Sequence, residues 1–159
     1  MFRIGFGNDV HRLVRGRPLV LGGVTIEGET GLLGHSDADV LTHAVMDAVL
    51  GAVGKGDIGL HFPDTDPSFQ DADSLELLRK VGAMMRDEGF RVNNLDATIV
   101  AQQPRLASFL PLMRERLAGM LEVPFERVNI KATTPEGLGY CGRGEAIEAY
   151  AVVSLTGAP

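Results

Sequence analysis

The sequence predicts an α+β protein, a single-domain sandwich in which a mixed β-sheet carries helices on one face. The first observation is size, because 159 residues, 45% of them hydrophobic, are enough to bury one core. The second observation is the succession of predicted elements along the chain. Strand and helix patterns alternate only in its second half, which favours the α+β class. No repeat, linker or low-complexity tract divides the chain, so residues 1–159 are expected to form one domain.

Six segments show the alternating or β-branched patterns that are typical of strands. The Gly22-Gly23 pair between the second and third segments predicts a tight hairpin. The strands are expected near residues 2–8, 18–21, 24–27, 95–102, 127–133 and 145–155.

Three helices are predicted between these strands. The first runs from about residue 38 to residue 53, with Asp37 as its cap. The second begins near Ser74 and stops at Gly89, and the third starts at Pro104, a residue suited to a first helical turn. One apolar face of the first helix is formed by Val40, Leu41, Ala44, Val45, Ala48, Val49 and Ala52.

Glycine is enriched, with 20 residues among 159, and it clusters at 51–59 and 137–144. Both clusters are interpreted as loops. The stretch 54–67 is also rich in Pro and Asp, and it is predicted to form a wall or lid over a substrate. The second cluster follows a strand, where backbone amides and hydroxyls are suited to hold a phosphate.

Charge and cysteine content exclude several classes of protein. A net charge of −6 without a basic run argues against nucleic acid as a partner. No apolar run reaches the roughly 20 residues of a membrane span, and the N-terminus has no signal-peptide pattern, so no membrane association is expected. The single Cys141 rules out a disulfide framework and fits a reducing compartment, so the predicted location is the cytoplasm.

A metal site is predicted from Asp9, His11 and His43. The first two are two positions apart in a strand pattern, so their side chains leave the same face. A carboxylate and an imidazole held in this way suit zinc, which keeps one position open when it is catalytic. His43 is the third candidate, because it lies in a helical pattern with Asp39 and Asp47 four residues to either side, as one polar stripe.

Five motifs in sequence order resemble a known family, the 2-C-methyl-D-erythritol 2,4-cyclodiphosphate synthases of the non-mevalonate isoprenoid pathway. They span almost the whole chain with no large insertion, which makes the resemblance specific. The motifs are Gly-x-Asp-Val-His ending at 11, His-Ser-Asp-x-Asp from 35 with a further His at 43, Gly-Asp-Ile-Gly from 56 with Phe-Pro-Asp-Thr-Asp-Pro from 62, Lys-Ala-Thr-Thr from 131 and Gly-Arg-Gly-Glu from 142.

The resemblance implies an enzyme that converts 4-diphosphocytidyl-2-C-methyl-D-erythritol 2-phosphate into the cyclic diphosphate and releases CMP. The 2-phosphate would attack the β-phosphate, so no protein nucleophile is needed, and Cys141 is expected to be a spectator. A homotrimer with active sites between neighbouring subunits is implied. Asp9, His11 and His43 would hold zinc, and Glu136 would hold a second divalent cation, Mg²⁺ or Mn²⁺. An acidic chain would thus bind phosphates through metals.

Substrate contacts are also implied by the resemblance. His35 and Ser36 would contact the methylerythritol phosphate portion, and His35 with Thr134 would stabilise the transition state. Near the metal, Asp9, Val10 and His11 would contact substrate. The ribose and the pocket floor would meet Asp57, Ile58 and Gly59, and the lid over the erythritol part would be Phe62, Pro63, Asp64, Thr65 and Asp66.

The cytosine pocket would come from an adjoining subunit, together with contacts near the threefold axis. Its members would be Ala101, Gln102, Gln103, Pro104, Arg105, Leu106, Ala107 and Thr133, and further contacts would be Pro135, Glu136, Tyr140 and Arg143. At three places this sequence differs from the pattern that is common in the family. Gln103-Pro104-Arg105 stands where the family often has Ala-Pro-Lys, Pro135 where it often has Thr, and Tyr140 where it often has Phe. The Tyr140 hydroxyl would need a polar partner in an apolar channel.

Two other classes of function use the same residues. A metal-dependent phosphohydrolase would let water attack and would leave a linear phosphate product. A non-catalytic trimer that zinc stabilises would need a fourth protein ligand to close the metal shell. The sequence offers only three good ligands, which disfavours the structural zinc site.

Overall fold

A five-stranded mixed sheet forms the centre of the structure, a computed structural model that describes residues 1–157. The last two residues of the predicted domain, 158–159, lie outside the described residues. The strands are β1 (Phe2–Arg15), β2 (Leu19–Leu21), β3 (Val24–Ile26), β4 (Thr30–Leu32), β5 (Phe90–Val100), β6 (Val128–Thr133) and β7 (Ala146–Gly157). The helices are α1 (Val40–Val53), α2 (Ile58–His61), α3 (Ser74–Asp87), α4 (Leu110–Leu121) and α5 (Gly139–Gly142), with 3₁₀ turns at Pro67–Phe69 and Phe125–Arg127.

The main sheet has the strand order β4-β1-β7-β5-β6. Its β5 and β6 strands are parallel and its other pairs are antiparallel, so the predicted mixed sheet is confirmed. The β2 and β3 strands form a separate hairpin, and its turn is the predicted Gly22-Gly23 pair.

The long helices cover one face of the sheet, as predicted. α1 lies across β1, β7 and β5, α3 packs against α1 and β5, and α4 packs against α3 and β6. Alternate residues of β7 from Ile147 to Leu155 are buried beneath these helices, and Ile147, Val153 and Leu155 each contribute up to roughly 1.5–3 kcal/mol. Tyr150 and Val152 point to the other face and are 36% and 46% exposed, so residues 1–157 leave that face largely open.

Two glycines let α1 lie directly on the backbone of β1. A Cβ added at Gly5 would be 1.8 Å from the carbonyl oxygen of Ala48, and one at Gly7 would be 1.9 Å from that of Ala44. Because real Cβ atoms do not approach oxygen so closely, only glycine fits at these two positions. The contact sets the distance between β1 and the first turns of α1.

Several strands differ from the prediction. β1 was expected near 2–8 but runs to Arg15, because pairing with β7 and then with β4 supports a polar stretch that has no hydrophobic alternation. β5 begins at Phe90, five residues before the predicted start, and its register shifts between Val92 and Asn94. The three-residue β4 was not predicted, since it is too short to show a periodic pattern.

The third helix begins at Leu110 and not at Pro104, so that prediction was wrong. The first-turn proline is Pro111, which follows the first helical residue. Short helices α2 and α5 also lie within the two glycine-rich stretches that were interpreted wholly as loops. Their four residues are below the length at which a helical period can be recognised.

The cap of α1 is Asp39 and not Asp37, and the helix begins two residues later than predicted. Ala38 has a φ of 58°, outside the helical region, so the helix cannot include it. The buried Asp39 carboxylate accepts from the backbone N–H of Thr42 and from those of Gly22 and Gly23. Asp39 therefore joins α1 to the hairpin. It does not form the polar stripe with His43 that the sequence had suggested.

No helix among residues 1–157 combines the length and the apolar character that crossing a membrane requires.

Candidate metal centre and substrate cavities

The three predicted metal ligands meet where β1 passes the first turn of α1. Asp9 and His11 lie on the helix-facing side of β1, opposite the buried Ala149 and Ile147 of β7. His43 Nδ1 is 3.0 Å from Asp9 Oδ2, and His11 Nε2 is 3.5 Å from the same oxygen. One ligand atom from each side chain lies within 4.8 Å of the others, so the three are close enough to share one ion.

The donor set fits a tetrahedral metal. Zinc bonds to nitrogen and oxygen of about 2.0–2.1 Å place neighbouring donors about 3.3–3.4 Å apart, close to both distances found here. His11 Nδ1 lies 2.8 Å from the carbonyl oxygen of Val10, to which it can donate, leaving the Nε2 lone pair directed to Asp9. Within residues 1–157 this group contains three ligating side chains. No fourth side chain of the group is there to fill the remaining position of a tetrahedral ion.

The electrostatics of the cluster favour cations. Burial lowers the pKa of the His43 imidazole, but the hydrogen bond to Asp9 and the negative charges of Asp9 and two further aspartates leave that pKa raised. A metal needs the neutral imidazole, so binding must displace a proton when His43 is charged. Metal affinity therefore falls as the pH drops through the pKa of His43.

A cavity of about 320 Å³ opens beside these three side chains. Its wall is formed by residues of β1 and α1, by the loop after β4, and by α2 with the predicted lid that follows it. His35 Nε2 donates to the carbonyl oxygen of Asp66 at 3.1 Å and thereby connects the loop after β4 to the lid. Among the predicted site residues, the cavity is lined by Asp9, His11, His35, Ser36, His43, Ile58, Gly59, Phe62, Pro63 and Asp64.

Four of the predicted residues near this site do not line the cavity. Val10 is exposed on the opposite face of the sheet. Asp57 caps α2 by accepting from the N–H of Leu60 at 2.9 Å, and Asp66 caps the following 3₁₀ turn. Thr65 lies between them in the lid. The two acids therefore order the lid, which is the ordinary role of turn acids.

A second cavity, of about 210 Å³, lies at the carboxyl ends of β5 and β6. It shares no lining residue with the first cavity. Gln103 is absent from its wall and instead lines a separate hollow together with Arg143. Of the predicted cytosine pocket, the second cavity is lined by Ala101, Gln102, Pro104, Arg105, Leu106, Ala107 and Thr133, and it also includes Thr134.

Thr134 and Glu136 lie next to each other after β6. The Thr134 hydroxyl donates to the Glu136 carboxylate at 3.2 Å, and both side chains are exposed, beside Pro135. Glu136 is not part of the three-ligand group. His35 and Thr134, which were predicted to act together, line different cavities of the chain.

The Tyr140 hydroxyl has the polar partner that its position requires. It donates to the Glu148 carboxylate at 2.9 Å, and this bond raises the pKa of Tyr140 to about 12. Arg143 pairs with Glu145 at 2.8 Å. Nearby, Cys141 is buried, and burial raises the pKa of its thiol, which keeps it in the unreactive protonated form.

Sequence reasoning missed Arg17, which supports the loop that carries His35. Its guanidinium donates to the carbonyl oxygens of Leu32 at 3.0 Å, Gly34 at 3.3 Å and Ser36 at 3.2 Å. Acceptors on the backbone leave no sequence pattern, so no motif could have identified this residue. Ser74 was noted only as the start of a helix, although its hydroxyl lies 3.0 Å from His43 Nε2.

Known proteins resemble the chain over nearly its full length. Residues 2–156 match the model of the YgbB family. A curated relative named 2-C-methyl-D-erythritol 2,4-cyclodiphosphate synthase, from Geobacillus kaustophilus, is 64% identical over 155 residues, covering 98% of this chain and 98% of the relative. A relative of the same name from Geotalea daltonii is 62% identical over 153 residues, covering 96% of this chain and 90% of its own.

Solved structures share the fold. A 2C-methyl-D-erythritol-2,4-cyclodiphosphate synthase in a CDP-bound form has a TM-score of 0.89 and 37% identity, covering 97% of this chain and 100% of the other. The bifunctional IspDF from Campylobacter jejuni has a TM-score of 0.95 and 43% identity, covering 99% of this chain and 42% of the longer one. At these identities the likeness extends beyond fold class to the family.

Proposed function

The chain belongs to the YgbB family of 2-C-methyl-D-erythritol 2,4-cyclodiphosphate synthases, and we propose that it closes the cyclic diphosphate ring by direct phosphoryl transfer. It is an enzyme of the lyase class. An oxygen of the substrate's 2-phosphate attacks the β-phosphorus, the bond from that phosphorus to the oxygen bridging it to the α-phosphate breaks, and CMP leaves with that oxygen. The observation that carries this proposal is the three-ligand cluster at the wall of a cavity.

Asp9, His11 and His43 would hold the metal, which we propose to be zinc. Such an ion polarises a phosphoryl oxygen and offsets its negative charge. The open side of the cluster, together with His35 and Ser36, faces the cavity. In the proposed complex the Ser36 hydroxyl and the His35 ring bind the methylerythritol phosphate portion, so that the attacking oxygen is held near its target.

Ring closure needs positioning more than it needs a protein nucleophile. The lid from Phe62 to Asp66 would cover the erythritol part, and Asp57, Ile58 and Gly59 would meet the ribose. Apolar Phe62 packs edge-to-face on Phe69, with ring centres 5.4 Å apart, which gives the lid an ordered inner surface. Such a surface excludes water from the reacting phosphates and thereby favours ring closure over hydrolysis.

The second cavity is the proposed cytosine pocket. Two relatives were solved with CDP, which supports a cytidine diphosphate substrate for this chain. Since the two cavities share no residue, one substrate would meet the metal cavity of one copy and the base cavity of the next. Thr134 and Glu136 would then join His35 from the neighbouring copy, with Glu136 holding the second divalent cation, Mg²⁺ or Mn²⁺, and Pro135, Tyr140 and Arg143 lying nearby.

The uncovered sheet face is the proposed contact between copies, arranged as a homotrimer. Ile4 and Phe6 of β1 are 64% and 62% exposed on it, and Phe6 stacks on Tyr150 with ring centres 6.2 Å apart. A contiguous apolar face of this kind marks an interaction surface. Closed symmetry would bury it in every copy.

Phe6→Glu is expected to dissociate the trimer into folded monomers, because three carboxylates would be buried on one apolar surface. Light scattering measures the mass, and turnover should be lost while each monomer still binds zinc. The control Leu112→Glu places the same charge on an exposed residue of α4 and should leave the trimer intact. A monomeric wild type at micromolar concentration would contradict the shared active site.

Phosphorus NMR of the product tests the reaction itself. Ring closure joins the two phosphorus atoms that stay on the product, so they should couple to each other and appear beside the CMP monoester signal. Run in ¹⁸O-water, ring closure should place no ¹⁸O in the product. Two uncoupled monoesters on the erythritol product, one of them carrying a single solvent oxygen, would identify a phosphohydrolase, and binding without turnover would identify a non-catalytic protein.

The cytoplasm remains the predicted location, since it rests on the single Cys141 and on composition alone.

A further inference from the structure

A buried hydroxyl and a carboxylate lie directly behind the metal ligand His43. Ser74, the first residue of α3, is fully buried, and its Oγ lies 3.0 Å from His43 Nε2. Asp37 accepts from both donors of Ser74, with one carboxylate oxygen on the hydroxyl and the other on the backbone N–H at 2.9 Å. The three groups form a chain that leads from Asp37 to the ligand.

The direction of the hydrogen bonds in this chain is fixed by counting protons. An ionised carboxylate only accepts, and Asp37 also accepts from the N–H of Asp39 at 3.1 Å. The single proton of the Ser74 hydroxyl therefore points to Asp37, and the hydroxyl has only lone pairs left for His43. His43 must donate from Nε2, so when its ring is neutral the lone pair lies on Nδ1, which is 3.0 Å from Asp9 Oδ2 and is the atom that would share a metal with it.

A second hydroxyl, that of Ser36, also lies 3.1 Å from His43 Nε2. It accepts from the N–H of Ala38 but has no carboxylate behind it, so it cannot fix the direction of the bond. Because Nε2 already carries a proton, His43 cannot take one from Ser36. The arrangement thus excludes a serine–histidine nucleophile at this place.

We propose that Asp37 and Ser74 are positioning residues, which hold His43 as its Nε2–H tautomer and so set the affinity of the cluster for a divalent metal. The inference rests on the metal site of the proposed function. Groups that orient a ligating histidine in this way change metal affinity by about 10–100-fold when they are replaced.

Asp37→Asn tests the direction of the chain without changing its shape. The carboxylate accepts from the hydroxyl and the N–H of Ser74 and from the N–H of Asp39, whereas an amide has only one oxygen to accept them. The variant therefore loses part of the acceptor that fixes the Ser74 hydroxyl. Where the amide nitrogen faces that hydroxyl, the hydroxyl proton turns to His43 Nε2 and favours the tautomer with hydrogen on Nδ1, where the metal should bind. We expect zinc affinity, measured on the purified full chain by competition with a chelator, to fall by about 10–100-fold.

The matched control is Asp73→Asn, which removes the same charge one residue before Ser74. Asp73 caps α3 by accepting from the N–H of Leu75, and asparagine caps equally well. Its zinc affinity should equal that of the wild type. Ser74→Ala, which removes the hydroxyl without touching Asp37, should lower the affinity like Asp37→Asn and covers the case in which Asp37→Asn fails to fold.

Nitrogen-15 NMR of the histidine rings in the zinc-loaded wild type gives a readout that a purely structural role would not move. It should find the metal on Nδ1 of His43 and the proton on Nε2. Wild-type affinity in folded Ser74→Ala, or zinc on Nε2, would overturn the proposal. If either result is found while the wild type still cyclises its substrate, this inference alone is overturned. A wild type that binds no zinc at the cluster would instead overturn the metal site itself.

Discussion

His43→Ala should remove most of the bound zinc and lower turnover by about a thousandfold or more. With one of three protein ligands gone, only Asp9 and His11 remain, and two ligands on one strand cannot hold the ion against dilution. A metal that polarises a phosphoryl oxygen stabilises the transition state by several kcal/mol, and each 1.36 kcal/mol corresponds to a tenfold change in rate. Losing the metal therefore removes most of the catalysis.

Metal content by mass spectrometry, together with turnover, checks this result. His61→Ala is the matched control, because its ring donates to the carbonyl oxygen of Lys55 and lies outside the three-ligand group. The control should keep its zinc. A His43→Ala protein with full zinc content and normal turnover would show that the cluster is not the catalytic metal site.

Gly7→Ala should destabilise the fold by more than about 3 kcal/mol, beyond the usual cost of overpacking. The new Cβ would lie 1.9 Å from the carbonyl oxygen of Ala44, and both groups belong to main chains. No rotamer change can relieve the clash, so α1 has to move away from β1. The metal ligands then separate, because Asp9 and His43 are close neighbours of the two clashing residues.

Denaturant unfolding measures the loss of stability, and zinc binding measures the loss of the site. Gly28→Ala is the control, since a Cβ there would meet no atom within 4 Å. It should unfold at nearly the wild-type midpoint. If Gly7→Ala also kept the wild-type midpoint and bound zinc normally, the direct contact between α1 and β1 would not determine the site.

The sequence predicts those parts of the structure that depend on local patterns. The Gly22-Gly23 hairpin, the apolar face of the first helix and the two-residue spacing of Asp9 and His11 are all contained in short segments, and each is confirmed. The start of α4 was wrong because the segment offers two prolines, and only tertiary packing selects Pro111. The end of β1 depends on its partners β4 and β7, which are far along the chain.

The candidate site shows the same difference between features contained in short segments and features that depend on distant parts of the chain. Side chains that belong to motifs were predicted from the sequence to form the site, and most of those predicted near the metal cluster do line one cavity. The supporting contacts were not identified. Arg17 acts on backbone carbonyls, and Asp37 was interpreted as a helix cap because the motif places it beside α1, whereas in the structure it accepts from Ser74, 37 residues away.

The glycine contact between α1 and β1 also bears on how freely this sequence can drift. Main-chain atoms at Gly5 and Gly7 fix the spacing of the two elements, and interdigitating side chains do not. Exchanges among aliphatic residues elsewhere in the core alter volume and stability, yet they leave the separation of Asp9 and His43 unchanged. A chain of this fold can thus vary its interior widely and still keep one arrangement of the proposed metal ligands, provided that both glycines are retained.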